Sequence, residues 1–334
     1  MDINILIGCD CDPDRIRFNP KAKDEQRFYW EGFLTLAENF NRIREEVRLA
    51  TNLTPALTWN LRADYQTEQY EGKIDYCFNQ YFNTIIHTNK YAAIDEIAWH
   101  HHHFKLVNSK WLSVFDDGTW MKEHIFYTYA NINKYDIHTV HTGELIMNTD
   151  SMNAYNDAGI KVDYSSVPGL ANFTGVYNRI DYSKIETNKP YIPSRSDYQK
   201  PGMKEENTII EFPTNTVKDS LLEFVSTANY CLRARTFDLS GISHKKVFIP
   251  INAHPYLFKR FFKKLISLNE IGTTFISYFH ADELLPDSYK SHEARMLFKN
   301  EYFTKNIITI IKELRSKGMN PVFTNFKTVA NTAT

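Results

Sequence analysis

Short apolar, β-branched runs alternate with longer segments of helical periodicity from one end of the chain to the other, and this alternation constrains the fold more than any other feature. It predicts strand-helix units around a parallel sheet. The strand-like runs are Ile3–Cys9, Pro55–Leu61, Ile94–Trp99, Ile137–His141, Ile160–Asp163, Thr208–Glu211, Lys246–Ile251, Thr273–Tyr278 and Pro321–Thr324. Helical periodicity falls at Asp24–Ala50, Glu68–Asn89, Thr119–Asn133, Asp150–Asp157, Val217–Leu232, Pro255–Asn269 and His292–Lys317. Nine strands exceed a small doubly wound sheet, and no Gly/Ser- or Pro-rich linker divides the 334 residues, so the expectation is an α/β fold, one closed or nearly closed (β/α) barrel over residues 1–334. Only Gly169–Asn207 loses the periodicity. In barrels such an insertion follows a strand and lies over the active-site end.

Composition narrows the function classes. With 39 basic against 40 acidic residues the formal charge is -1, which gives no global basic field for non-specific nucleic-acid binding. A hydrophobic fraction of 43% supports a packed core rather than disorder. The four cysteines, Cys9, Cys11, Cys77 and Cys231, do not make a disulfide framework. An acid at position 2 and the lack of any run near eighteen apolar residues predict a soluble, cytoplasmic protein with no transmembrane segment.

Titratable residues cluster where apolar strands end. In Gly8-Cys9-Asp10-Cys11-Asp12, strand alternation sends Asp10 and Asp12 to one side, and two such carboxylates need a proton, a cation or solvent between them. The run Glu96-Ile97-Ala98-Trp99-His100-His101-His102-His103 places His100 and His102 on one side of the chain and His101 and His103 on the other. Two imidazoles and one aspartate with open positions suit zinc, and also iron, cobalt, nickel or manganese. A third strand end carries Tyr278-Phe279-His280-Ala281-Asp282-Glu283, in which His280 is a candidate general acid. His254, before Pro255, is its rival and otherwise a helix-capping neighbour. Trp59, Trp99 and Tyr191 offer flat faces for stacking on sugar rings, and Arg179 and Arg195 in the insertion are candidates for an anionic group.

In order and spacing these motifs resemble the polysaccharide deacetylases of NodB homology, carbohydrate esterase family 4, and within them a divergent branch of lipopolysaccharide, O-antigen and capsule biosynthesis. The carriers are the Asp10/Asp12 pair, Thr58-Trp59 in "PALTWNLRAD", "EIAWHHHH", "NTDSMNAYNDAGIKVDYSSVPG", "SYFHADELL" and "ELRSKGMNPVFTNF", spread over almost the whole chain. The resemblance implies a distorted seven-stranded barrel and a metal-dependent deacetylase that hydrolyses an N-acetyl group of an amino sugar, free or nucleotide- or lipid-linked. It implies Asp10 as catalytic base, Asp12, His100 and His102 as ligands of a divalent metal, zinc first, and His280 as catalytic acid. Trp59, His141, Tyr191 and Glu283 are the candidate substrate-binding residues. In the family the aspartates adjoin, whereas Cys11 separates them here. The family's second histidine would fall at Phe104, which leaves the second ligand open among His101, His102 and His103. His141 stands near where the family carries an arginine that orients the base. Two other readings are a glycan-binding protein that retains the fold and an amidohydrolase acting on another C–N bond.

Overall fold

Residues 3, 5, 7, 9 and 11 of the first strand pack into the main hydrophobic core, while Leu6 belongs to a second, inner cluster, so the strand has two buried faces. That is the pattern of a barrel wall covered outside by helices. The computed structural model describes residues 1–23, 27–83, 85, 90–172, 180–234, 242–244 and 246–333. Among these the strands are β1 (Asp2–Cys11), β2 (Thr58–Arg62), β3 (Glu96–His101), β4 (Phe104–Val107), β5 (Lys110–Ser113), β6 (Thr139–Thr142), β7 (Val162–Asp163), β8 (Leu170–Asn172), β9 (Ile180–Asp181), β10 (Ile210–Glu211), β11 (Ile242–His244), β12 (Thr274–His280) and β13 (Asn320–Phe323). The helices are α1 (Glu31–Thr51), α2 (Tyr65–Glu71), α3 (Tyr76–Asn83), α4 (Gly118–Ile132), α5 (Thr149–Ala158), α6 (Ser220–Ala234), α7 (Pro255–Ser267), α8 (His292–Leu297), α9 (Asn300–Ser316) and α10 (Phe326–Ala333).

Seven strands form the wall in the order β10-β7-β6-β3-β2-β1-β12, all parallel, with β13 beside the start of β1. Taken from β1 round to β12, the spatial order follows the chain, as in an α/β barrel. Leu6, Val162, Tyr164, Ile210, Phe212 and Ile276 fill the interior, and Phe326 of α10 stacks on Tyr164 at 4.0 Å between ring centres. Outside, α1 buries Leu36, Phe40, Ile43 and Val47, and α7 buries Phe258, Phe261, Phe262 and Leu265. Each such side chain contributes roughly 1.5–3 kcal/mol by leaving water.

Several boundaries depart from the sequence expectation for local reasons. The segment Glu68–Asn89 divides into α2 and α3 because Gly72, at φ 75°, ends α2 in the left-handed conformation. The helical segment His292–Lys317 is interrupted at Phe298 and Lys299, both extended. The β4–β5 hairpin, unforeseen, turns through Asn108 and Ser109, both at positive φ, without the Asn-Gly pair that signals such turns. The insertion at 169–207 supplies β8 and β9, and β8 sits between β9 and β11 in a small antiparallel sheet. Among the described residues no helix is long and apolar enough to cross a membrane. Cys9, Cys11 and Cys77 are buried free thiols, and the Cys231 side chain lies outside the described set.

Among the described residues, no strand pairing closes the wall between β10 and β12. Asn215 closes it with its side chain: Oδ1 accepts the Ile276 N–H at 2.6 Å and Nδ2 donates to the Thr274 carbonyl at 3.4 Å. The Ser277 hydroxyl accepts the Ile251 N–H at 3.1 Å. The expected strand Lys246–Ile251 is therefore reduced to one bridge, Val247 to Val217, and Pro250 has no N–H to extend a ladder. Asn215→Ala leaves a buried N–H without its acceptor, which costs about 1–3 kcal/mol. Chemical denaturation is expected to show a lowered midpoint with an unchanged slope; an unchanged midpoint would mean the seam closes without this side chain.

Candidate active site

Register brings one ring of polar side chains to the carboxyl ends of the strands. Asp10 lies opposite Asn60 on β2 and His280 on β12; Arg62 lies opposite His100 on β3, and His100 opposite His141 on β6. Partners across a parallel ladder point the same way, so all six face inward. All but Asn60 line a cavity of about 1180 Å³ that also receives Asp12 and His102 from just beyond the strands.

His100 Nε2 lies 3.2 Å from Asp12 Oδ2, His102 Nε2 lies 3.1 Å from Asp12 Oδ1, and the two Nε2 atoms are 3.1 Å apart. Bonds of about 2.0–2.1 Å at tetrahedral angles separate ligand atoms by about 3.3 Å, so this triangle fits one zinc-sized ion. His100 Nδ1 donates to the His141 carbonyl at 2.8 Å, which leaves the lone pair on Nε2, facing the other two ligands. Asp10, His100 and His141 also converge, but His100 would have to offer Nδ1 there, and that atom is already bonded. The structure thus pairs His100 with His102, and turns His101 and His103 away from Asp12 toward Tyr155.

The close triangle divides charge unequally. Burial lowers the His100 pKa, but Asp12 and Asp10 outweigh it and push it up to about 9. Burial and the Arg62 guanidinium hold His102 at about 4 against Asp12. Arg62 reaches Asp12 at 3.2 Å while its Nε donates to Asp64 at 2.7 Å. Without an ion, one proton therefore sits in the triangle. A metal must displace it, so affinity is expected to rise about tenfold per pH unit from neutrality to about pH 9 and to level off above that. Zinc titration against a competing chelator at stepped pH measures the slope; a flat profile would show His100 already neutral.

Gly143 sets the position of the His102 ring. A Cβ at this position would lie 2.3 Å from the His102 ring, so only glycine lets the backbone pass. Gly143→Ala is expected to weaken metal binding by about 10–100-fold, the range seen when groups supporting a ligand are disturbed. Isothermal titration with Zn2+ tests this; wild-type affinity would mean the ring can shift without loss.

Asp10 is 2% exposed. Its Oδ1 accepts from Asn60 at 2.8 Å and lies 3.0 Å from His141 Nδ1, a contact too poorly aligned for a hydrogen bond. His280 Nε2 lies 3.8 Å from Oδ2. Burial raises the Asp10 pKa, and His141, His100 and His280 reverse this and hold it well below the usual carboxylate range. His280 is held from behind: Glu283 accepts its backbone N–H at 3.1 Å and places Oε1 3.7 Å from its Nδ1. Arg15 forks onto Asp282 at 2.9 and 2.5 Å and onto Glu283 at 3.0 Å, tying the loop after β1 to the loop after β12.

The remaining expected residues separate. His141 lines the cavity, whereas Glu283 stands behind His280 and holds it rather than lining the cavity. Trp59 is 1% exposed on the outer face of β2, donating to Asp95 at 2.9 Å and packed on Phe33. It cannot stack on a ligand, because alternation gives the inward positions of β2 to Asn60 and Arg62. Tyr191 is fixed by a backbone bridge to Glu211 and a hydroxyl bond to the Tyr198 carbonyl, away from the cavity. His254 caps α7, accepting the Tyr256 N–H at 3.3 Å. Arg195 pairs with Asp157 at the surface, and Arg179 lies outside the described residues.

The cavity's aromatic faces are instead Phe28, Tyr29, Tyr70, Phe104, Trp111 and Tyr278, with Arg27 and Lys110 beside them. Leu170 and Ile180 bring the insertion to its rim. Glu144, at φ 55°, also lines it; burial lifts its carboxyl to about 7 although the Ser113 hydroxyl donates to it at 2.5 Å. Arg62 and Asn60 could have been found by extending strand alternation to β2. Glu144 has no such signal, because its placement comes from a strained turn.

No family model matches the chain, and no curated protein does. Solved structures similar to it include a 4-alpha-glucanotransferase from Thermococcus litoralis, with 11% identity and TM-score 0.40 over 97% of this chain and 37% of that one. The alpha-amylase AmyC from Thermotoga maritima has 10% identity and TM-score 0.44 over 99% of this chain and 75% of that one. An exo-type maltose-forming amylase from Pyrococcus sp. ST04 has 9% identity and TM-score 0.39 over 98% and 48%. The chain thus spans little more than a third of the glucanotransferase chain.

Proposed function

We propose that the protein is a metal-dependent deacetylase that hydrolyses the N-acetyl group of an amino sugar, with Asp12, His100 and His102 holding a divalent cation, zinc first. The observation that carries this reading is the placement of Asp10 between two groups, the ligand triangle through His100 on one side and His280 3.8 Å away on the other. Amide hydrolysis needs a base for the attacking water and an acid for the departing nitrogen, on opposite sides of one carbonyl carbon.

A cation in the triangle supplies two things, a more acidic water and a polarised carbonyl. Asp10 takes the proton from the water. Its histidine neighbours favour its ionised form, which is the form a base needs. His280, turned to the cavity and held by Glu283, gives a proton to the nitrogen as the C–N bond breaks. Products are acetate and a free amine. The aromatic faces of Phe28, Tyr29, Tyr70 and Trp111 suit the apolar faces of sugar rings, and the cavity exceeds the space one sugar needs.

The test is acetate release from N-acetylglucosamine oligosaccharides and from a nucleotide-linked N-acetylamino sugar, with zinc content followed in parallel. Asp10→Asn is expected to keep the metal and lose about 10²–10⁴-fold in kcat. Asp12→Ala is expected to lose both. Full turnover in Asp10→Asn would overturn its assignment as base, and acetate release undiminished in Asp12→Ala would overturn the metal-dependent mechanism.

A further inference from the structure

The histidines of the run that face away from the cavity form a second cluster. His101 and His103 meet His124 of α4 beneath the site, with exposures of 0%, 1% and 0%, and one ring nitrogen from each lies within 4.8 Å of the others. Trp99 stacks on His101 at 4.3 Å, and Trp120 and Tyr65 pack against His124 at 4.7 and 4.0 Å, which encloses the group in aromatic rings.

Hydrogen-bond accounting leaves the cluster unfinished. The Tyr155 hydroxyl lies 2.6 Å from His101 Nδ1 and 3.3 Å from His103 Nε2. One phenolic hydrogen cannot serve two acceptors, so at least one imidazole presents N–H to that oxygen and carries its lone pair on its other nitrogen. Those other nitrogens, His101 Nε2 and His103 Nδ1, have no partner among the described residues, and neither does His124 Nδ1. Three unpaired ring nitrogens in a buried pocket are the condition under which an unseen ion or water is expected. Three imidazoles are a donor set for late first-row transition metals, and a phenol oxygen accepting the remaining N–H groups is the support such ligands use.

We propose that His101, His103 and His124 form a second metal site, for a late first-row transition ion of the zinc class, on the opposite side of the β3 terminus from Asp12. His124 Nε2 accepts the Tyr65 N–H at 3.2 Å, so in the neutral ring the proton is on Nδ1; metal uptake at Nδ1 requires that proton to move to Nε2, which gives up the bond from Tyr65. The nitrogens, which lie within 4.8 Å of one another, must also settle about 3.3 Å apart, drawing α4 toward the end of β3. The site's role is to clamp the strand end that carries His100 and His102. It stands apart from the deacetylase reading, since it can hold a metal whether or not acetate is released.

The experiment is zinc stoichiometry after chelator stripping and reloading, by elemental analysis, with Co2+ absorption as a second readout. Wild type is expected to bind about two equivalents, and His124→Gln and His103→Gln about one each. The double variant His100→Ala/His102→Ala leaves the cluster untouched and is expected to keep about one equivalent, so the question remains answerable if the cluster variants fail to fold. No zinc in that double variant would overturn the proposal. So would one equivalent in wild type that persists in a folded His124→Gln, since water alone would then complete the three nitrogens.

Discussion

Keeping the Asp10 carboxylate ionised where water scarcely reaches is the constraint on which the mouth of the barrel depends. Removing a carboxylate from water costs several kcal/mol unless partners replace its hydration. Here the partners come from four neighbouring strands: Asn60 of β2, His100 of β3, His141 of β6 and His280 of β12. Each stands toward its strand's carboxyl end; the parallel register sets Asn60 and His280 level with Asp10, and His100 and His141 two residues further along, level with Arg62. A slip of one residue in any of these strands would turn its side chain to the helical face and leave the charge uncompensated. Register and electrostatics therefore specify each other.

The four consecutive histidines show how a period of two separates identical side chains. His100 and His102 face Asp12 and the cavity; His101 and His103 face Tyr155 and α4. Within the inner pair the nitrogens are too close for both rings to be charged, and the surroundings decide which one is. His100 has carboxylates near both of its ring nitrogens, whereas His102 shares Asp12 with the Arg62 guanidinium. The result is a cluster that holds one exchangeable proton, which a cation would have to displace.

Strand ends and alternation made much of this legible in the sequence. They foretold a barrel, the common side of Asp10 and Asp12, the common side of His100 and His102, and His280 at the end of another strand, while the choice of second histidine stayed open. Trp59 was misplaced because resemblance named it while alternation, applied to Asn60 and Arg62, excluded it. Long-range placement was not legible: nothing local brings Arg15 to Asp282, which lie 267 positions apart, or His124 to the back of the histidine run. The missing strand at Lys246–Ile251 reads correctly as apolar, but only the folded chain shows that the side chains of Asn215 and Ser277 close the seam where β-strand pairing would have done so.

The residue between the two aspartates follows from the length of β1. This strand stays extended through Cys11, and adjacent residues on an extended strand point to opposite faces. Two aspartates sharing one cavity while the strand continues must therefore stand two positions apart, and the intervening side chain must suit the outer core. Cys11, 1% exposed in the main core cluster, does so. The pair then differs in depth as well as in position: Asp10 remains within the wall among imidazoles, whereas Asp12 emerges beyond it, with its side chain 14% exposed beside Arg62. One carboxylate is thereby shielded from solvent and surrounded by proton carriers, and the other is left facing a gap of ionic size.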